Sequence, residues 1–504
     1  MVAVDEVQQG PKLNQLPSTP SFDRKYANRT LILFATVAAT VMYVEMMLTP
    51  SLPKISLQYG IDAAQASLIL SLYTVFGTAI NPIVGKLGDI YGKKKILTFV
   101  LIAYSCMVTL TSFAPDYTIL VISRTFQGIG LGIFPLAFSL VREEFPRDLI
   151  PRAQGMISAM FGAGMALGLP VGALIANNWG WQTNYHIATP VIIALTIVAI
   201  ITVRESAYRN PNAKMDYVGA GVLGAALASI VLGLSEGANW GWHSTPVLAL
   251  LIAGPALFVP LVLYERRLTA PILDFKQLSQ RNVLISNIVG MAVGLGMLLA
   301  FQSIVYQLEY PAPSGFGFSI FKGGLYLLPM AITMLIVMYP VGVMISRIGT
   351  KPFIFGGSAI GALGFLLLST ATTSGQIAEY LAVTSVGLAM LMASIQNLLV
   401  LSVRPQEMGL ATAMNTVFRN FGSSLGAPIA GSILSTFTIL ISLGPLGKAP
   451  FPTHIAYTYT YYVAVAVFVV AFVVALFAHE VIGKKAKPDI VENNTGNAPS
   501  YSNQ

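Results

Sequence analysis

The chain has 504 residues, of which 55% are hydrophobic and only 10% charged, with a mean hydropathy of +0.70. A water-soluble domain carries roughly 25% charged residues, so this chain cannot cover a water-facing surface, and a soluble enzyme is excluded. The single cysteine, Cys106, lies inside an apolar run; it says nothing about a disulfide framework and excludes a cysteine-based metal site. The net charge of +8 could point to nucleic acid or lipid, so its distribution has to decide.

The first 29 residues are polar, hold Pro11, Pro17 and Pro20, and read as a disordered tail (1–29). No cleavable signal peptide is visible, because the first apolar run begins near Leu31 and is too long for an h-region. From there, window hydropathy gives about 14 spans. They fall near 30–52, 64–86, 96–114, 117–141, 152–177, 184–203, 217–236, 245–264, 282–309, 320–346, 353–372, 377–402, 408–441 and 456–482. About 20 apolar residues cross a bilayer as a helix. In lipid every backbone polar group must be bonded internally, so the runs are expected to be helices, and they are too long and continuous for barrel strands. Pro82, Pro135 and Pro170 lie inside spans, which a bundle tolerates. After Gly483 the chain is again polar (483–504). Asn28-Arg29-Thr30 and Asn493-Asn494-Thr495 match the glycosylation triplet, but both lie in tails expected in the cytoplasm and read as chance.

The basic residues alternate with the spans. Arg24, Lys25 and Arg29 precede the first; Lys86 and Lys93–Lys95 follow the second; Arg142, Arg147 and Arg152 follow the fourth. Arg204, Arg209 and Lys214 follow the sixth; Arg266, Arg267, Lys276 and Arg281 the eighth; Arg347 and Lys351 the tenth; Arg404 the twelfth; Lys484, Lys485 and Lys487 the last. The other loops hold only Lys54, Lys322 and Lys448. This is the positive-inside pattern. It puts both termini in the cytoplasm, requires an even number of spans, and explains the charge without nucleic acid.

Gly85-Lys86-Leu87-Gly88-Asp89-Ile90-Tyr91-Gly92-Lys93-Lys94-Lys95 has an echo 257 residues later in Gly342, Ser346, Gly349 and Lys351. Ala153-Gln154-Gly155 and Gly409-Leu410-Ala411 open two further corresponding spans. A parallel repeat of two helical halves is a recurring transporter plan. The expected domains are thus a six-helix half (30–203), two surplus spans with linkers (204–281) and a second six-helix half (282–482).

The polar residues inside these spans are few. Glu45 is the only acidic side chain expected near mid-membrane, and Arg124 and Arg419 are the two basic ones. Ionisable groups at that depth are costly, face the bundle interior and are usually functional. Burial in a low-dielectric medium favours the neutral form of a carboxyl, so Glu45 suits a group that picks up and releases protons, and it could also bind a cationic substrate. Gln127 follows Arg124 at i+3 and shares its face. Gly164, Gly168 and Gly172 recur every four residues, the small-xxx-small pattern of close helix packing. Tyr43, Tyr73, Phe76, Gln127, Tyr306, Tyr326 and Arg419 are candidates to line a cavity, with lipid or core contact an equal alternative for each of the aromatic ones. Gly128-Ile129-Gly130-Leu131-Gly132 is no nucleotide loop, since no strand precedes it. The histidines lack metal-ligand spacing, and neither a cofactor nor a metal is expected.

Gly85 to Lys95 resembles the loop signature of the major facilitator superfamily, and Arg124-Thr125-Phe126-Gln127-Gly128-Ile129-Gly130 resembles its fourth-helix signature. Gly164-x-x-x-Gly168-x-Pro170-x-Gly172 is similar to the fifth-helix signature of its antiporters. Trp181-Gln182 with Tyr185 and Pro190, Asp216-Tyr217-Val218-Gly219, Trp240-Gly241-Trp242 and Asn415 to Gly426 resemble the 14-span drug:proton antiporter branch. The likeness covers about residues 30–482. Three places differ: Val44 stands where the branch has a first-helix aspartate, with Glu45 one residue later; Gly168-Leu169-Pro170 replaces a Gly-Pro pair; and Trp181-Gln182 replaces Trp-Arg.

The resemblance implies an all-α polytopic membrane protein with the major facilitator fold, and a role for Arg124 in proton coupling. It also implies a proton-coupled antiporter that exports a small amphipathic compound by alternating access. The expected partners are that small molecule, protons and the bilayer, with the protein monomeric in the plasma membrane. Asp89, with Gly85, Gly92, Lys93 and Lys94, is expected to accept from a helix N-terminus and to latch the two halves in one conformation. Two other readings stay open at this point: a proton symporter or uniporter for a nutrient, and a membrane sensor without flux.

Overall fold

The computed structural model describes residues 24–146, 148–206, 209, 216–268, 271–403, 408–442 and 448–479. Expectations about Pro11, Pro17, Pro20, Arg147, Lys214, Arg404, Lys484, Lys485, Lys487 and Asn493–Thr495 lie outside them. The elements in the first part of the chain are α1 (Arg24–Met46), α2 (Leu52–Tyr59), α3 (Ala63–Tyr91), α4 (Lys93–Ser112), α5 (Tyr117–Gln127), α6 (Ile133–Glu144), α7 (Ile150–Trp179) and α8 (Trp181–Thr202). α9 (Tyr217–Trp240), α10 (Thr245–Glu265) and the short α11 (Phe275–Leu278) come next. The last part comprises α12 (Arg281–Glu309), α13 (Ile320–Tyr326), α14 (Leu328–Ile348), α15 (Lys351–Ser369), α16 (Ser374–Ser402), α17 (Met408–Thr436), β1 (Thr438–Ser442), β2 (Lys448–Pro452) and α18 (His454–Leu476).

Among the described residues, 13 helical spans are long and apolar enough to cross a membrane, with α1–α2, α5–α6 and α13–α14 each forming one span. α17, 29 residues long but carrying Asn415, Arg419 and Asn420, is a further helix of spanning length. The fold is the expected all-α bundle.

Two boundaries differ from the sequence reading. Residues 24–29 belong to α1 rather than to a disordered tail. Arg24 pairs with Asp148 at 2.9 Å, the Tyr26 hydroxyl accepts from the Arg204 main-chain N–H at 2.9 Å, and the Arg204 guanidinium lies over the Tyr26 ring. The span expected over 408–441 stops at Thr436, and an antiparallel hairpin follows, with Ile439 opposite Phe451. Thr438-Ile439-Leu440-Ile441 is rich in β-branched residues, which favour the pleated strand over the helix.

The two parts of the chain repeat their packing. α1 lies on α7 and α4 on α8; α12 lies on α17 and α15 on α18. Across the middle, α3 packs on α17, while α13 and α14 meet α7. α9 packs on both α3 and α17, with α10 behind it.

Among the described residues, the hydrogen bonds between the halves lie at one end, that of the α2–α3 turn, where the halves close on each other. There Ser56 Oγ and the Tyr306 hydroxyl lie 2.7 Å apart, Gln302 Nε2 donates to the Ala63 carbonyl at 2.9 Å, and the Ala64 N–H donates to Ser435 Oγ at 3.0 Å. At the opposite end, which bears the Gly85–Lys95 loop, Gly85 and its repeat mate Gly342 both have open space where a Cβ would stand. Between the two ends Asn81, Gln396, Thr416 and Arg419 stay part-exposed, so the interior is reached from the Gly85 end.

Candidate transport site

The first span is broken. α1 stops at Met46, one residue after Glu45, and the chain passes through a 3-10 turn at Thr49–Ser51 before α2 resumes it. Pro50 explains the break: it has no N–H to offer the Met46 carbonyl, and it disfavours helical conformation in the residue before it. A helix end leaves its last carbonyls without partners.

Arg124 of α5 reaches those carbonyls. Its Nη1 donates to Val44 O at 3.5 Å and its Nη2 to Glu45 O at 3.4 Å. Both bonds are long, but a guanidinium at a helix C-terminus also meets the negative end of the helix dipole. Nη1 donates again to Gln127 Oε1 at 3.0 Å, and Gln127 Nε2 donates to Met107 O at 3.3 Å and to Thr111 Oγ1. The Tyr73 ring lies 4.9 Å from the guanidinium, and Tyr185 of α8 stands beside it. Arg124 is 1% exposed. Arg124 and Gln127 thus tie α5 to α1, α3, α4 and α8 at the point where α1 breaks.

The Glu45 carboxyl is half-buried, and its Oε2 accepts from the Tyr73 hydroxyl at 3.5 Å. It makes no ion pair among the described residues, although Arg124 and Arg419 both lie within electrostatic reach. Arg124 therefore meets the main-chain carbonyl of Glu45 rather than its carboxylate. Arg419, on α17 of the second half, is part-buried and has no hydrogen bond or ion pair among the described residues. A carboxyl from one half and a guanidinium from the other thus face one interior. Such a pair can hold and release a proton, and a polar or charged group of a ligand can compete for either member.

The other cavity candidates divide. Tyr73 and Gln127 belong to this cluster. Tyr43 does not: two residues before Glu45, it points about 200° around the helix, and its hydroxyl donates to Asn184 Oδ1 at 3.4 Å. Phe76 packs edge-on against Phe126, which lies on the face of α5 away from Arg124. Tyr306 is fully buried in the closed end, and Tyr326 packs on Phe318 with its hydroxyl 3.3 Å from Ser374 Oγ. The sequence marked these tyrosines as aromatic but carried no sign of which face or depth each would take. Tyr104 and Thr111, buried near Arg124, carried no signal at all.

A Cβ at Gly164, Gly168 or Gly172 would strike the main chain of Ala39, Tyr43 and Met47 respectively. The stripe therefore lets α7 lie directly on the helix that carries Glu45. Beyond it, near Pro170, α7 meets the second half, where a Cβ on Gly324 of α13 would press on Ala173.

At the open end, Lys93 Nζ pairs with Asp89 at 3.0 Å and with Glu143 of α6 at 2.9 Å. The N-terminus of α4 is capped by Glu205, which accepts from the main-chain N–H groups of Lys94 at 3.0 Å and Lys95 at 3.2 Å. Gly92 has φ +111°, and a Cβ there would strike the Glu205 carboxyl. Two expectations are corrected here. The anion at the helix N-terminus is Glu205 rather than Asp89, and every partner among the described residues lies in the first part of the chain, so among them no latch to the second half is formed in this conformation. Gly85 makes no close approach.

A bundle of spanning helices, broken at a charged centre and closed at one end, defines a polytopic membrane transporter. The chain belongs to the major facilitator superfamily, whose sequence pattern matches residues 34–427. It is 26% identical over 422 residues to the multidrug transporter protein MdtP of Bacillus subtilis (strain 168), covering 82% of this chain and 77% of that one. It is 29% identical over 485 residues to the uncharacterized MFS-type transporter Rv1877 of Mycobacterium tuberculosis (strain ATCC 25618 / H37Rv), covering 90% and 69%. The fold matches a bacterial homologue of the human lysosomal transporter Spinster, solved in an inward-facing and unoccupied conformation, with a TM-score of 0.67 at 14% identity over 90% of this chain and 96% of that one.

Proposed function

We propose that this transporter is a proton-coupled antiporter that exports a small amphipathic compound across the plasma membrane, with both termini in the cytoplasm. Glu45 carries the proton, and Arg124 tunes it through the carbonyls at the broken end of α1. The observation that carries the reading is the Glu45 carboxyl, half-buried at a helix break and without an ion pair. The named multidrug relative supports a drug-like substrate. The α7 glycine stripe, laid on the Glu45 helix, supports antiport. Alternating access is a rocking of residues 30–203 against 282–482, with 204–281 as an inserted pair. In the conformation at hand the Gly85 end, cytoplasmic by its charge, is open. The loop cluster of Asp89, Gly92, Lys93 and Lys94 is then free to meet the second half in the opposite state.

The test is flux in liposomes under an imposed pH gradient, with substrate and protons followed together. Glu45→Gln keeps size and hydrogen bonding but releases no proton at working pH. It is expected to abolish gradient-driven transport while substrate counterflow, which needs no net proton movement, persists. Uphill transport by Glu45→Gln at the wild-type rate would overturn the assignment.

A further inference from the structure

The closed end holds a cavity of about 210 Å³ on the line where the halves meet. Pro53 and Lys54 of α2 and Asn177 of α7 wall it from the first part of the chain, and Glu309, Tyr310 and Phe318 from the second. One water takes about 30 Å³ of liquid, so the space is large enough for a small organic group.

Glu309 is the acidic side chain of this cavity. It ends α12, is part-buried, and its Oε1 is shut off from solvent with no hydrogen-bond partner. Gly323 of α13 leaves it room: a Cβ there would stand 3.1 Å from both Cγ and Oε1 of Glu309. Lys54 lies within electrostatic reach of the carboxyl but makes no ion pair with it among the described residues. Lys322, the other amine nearby, is held over the Phe318 ring at 3.6 Å. Asn177 Nδ2 donates to Asn178 Oδ1 at 3.3 Å, which leaves its own Oδ1 as a second acceptor on the cavity wall. A buried acceptor without a donor is costly, and a carboxylate gains most from a donor that is itself charged. The walls therefore ask for N–H groups and a positive charge together.

We propose that this cavity is a binding site for a small organic cation that carries N–H groups, a guanidinium or a primary ammonium, with Glu309 as its counter-charge. Lys54 competes with the ligand for the carboxylate. Because the walls come from both halves, an occupant clamps the closed end and slows alternation, since a ligand that fits one conformation shifts the balance toward it. The site lies apart from the Glu45–Arg419 interior, which is reached from the Gly85 end. The proposal rests on the reading of the chain as a transporter whose closed end must open, but it is independent of proton coupling.

The probe is n-propylguanidinium. Its controls are n-propylurea, which has the N–H groups without the charge, and n-butyltrimethylammonium, which has the charge without the N–H groups. Thermal stabilisation in detergent reports binding, with Glu45→Gln as the background so that the central carboxyl does not contribute. Half-maximal stabilisation is expected at an about tenfold lower concentration of propylguanidinium than of either control. Glu309→Gln should remove that advantage, and Lys54→Gln, which removes the competitor, should lower the half-maximal concentration about threefold. Equal responses to all three compounds, or an advantage that survives Glu309→Gln, overturn the site; a weaker response in Lys54→Gln overturns the competition. In liposomes with the probe on both sides, substrate counterflow by the wild type should slow relative to its probe-free rate, and counterflow by Glu309→Gln should not. Stabilisation without slowing overturns the clamp. A loss of pH-gradient coupling with the propylguanidinium response intact would count against the antiport reading alone.

Discussion

A Cβ on Gly168 would meet the main chain of Tyr43 and Met47, whereas one on Gly162, six residues earlier on the same helix, would meet nothing. The pair separates close packing from helix propensity. Gly168→Ala must push α7 off α1, an overpacking cost of about 1–3 kcal/mol, while Gly162→Ala gains about 0.5–1 kcal/mol from lower chain entropy. Thermal unfolding in detergent should therefore fall for the first variant and hold or rise for the second; matching Tm values would show that the stripe is not an interface. Arg124 supports a second prediction at this scale. Arg124→Lys keeps the charge but loses the planar fork that spans Val44 O, Glu45 O and Gln127. It should leave substrate counterflow measurable and weaken proton coupling, read as a lower proton-to-substrate ratio. An unchanged ratio would reduce Arg124 to a packing group. Both residues were legible in the sequence, because a four-residue glycine period and an arginine inside a membrane span are rare enough to carry meaning. What the sequence could not show was that Arg124 would bind the carbonyls of a broken helix, since that depends on where α5 crosses α1.

The closed end is built from elements whose joint role has no sequence signature. Phe451 of the β1–β2 hairpin stacks edge-on against Tyr310 at 4.9 Å, Tyr310 against Tyr306 at 4.9 Å, and Tyr306 meets Ser56 of α2 at 2.7 Å. Ser314 Oγ donates to the Pro452 carbonyl at 2.6 Å, fastening the hairpin to the chain after α12. The hairpin thus braces the contact that joins the two halves. Tyr306→Phe removes one hydrogen bond of about 0.5–1.5 kcal/mol that exists only while this end is shut. It should shift the conformational balance toward the state open at this end, up to about tenfold. Spin-label distances across the closed end report the shift, and an unchanged distance distribution would mean that Ser56–Tyr306 does not hold the closure. Hydropathy alone read 408–441 as one span because Thr438 to Ile441 is as apolar as a helix end. The change from helix to strand at Thr436 becomes visible only through the pairing with Lys448–Pro452.

For the whole molecule, the alternation of basic loops carries the strongest inference, and it can be tested without knowing the substrate. The spans and their order were legible because each apolar run is long and bounded by charge. The way the halves lean was not, because it rests on contacts such as Gly431 against Ala63 and Ala64, which lie more than 350 residues apart. If the positive-inside pattern fixes the orientation, the Trp240–Ser244 turn between α9 and α10 faces outside, and the Arg347 end of α14 faces the cytoplasm. His243 and Arg347 are both exposed, so a cysteine at either is reachable by solvent. Cys106 is itself exposed and must first be replaced by serine. In intact cells His243→Cys should react with an impermeant thiol reagent, and Arg347→Cys should react only after permeabilisation. The reverse pattern would invert the molecule, making the open end of this conformation the outer one and turning the proposed export route into an import route.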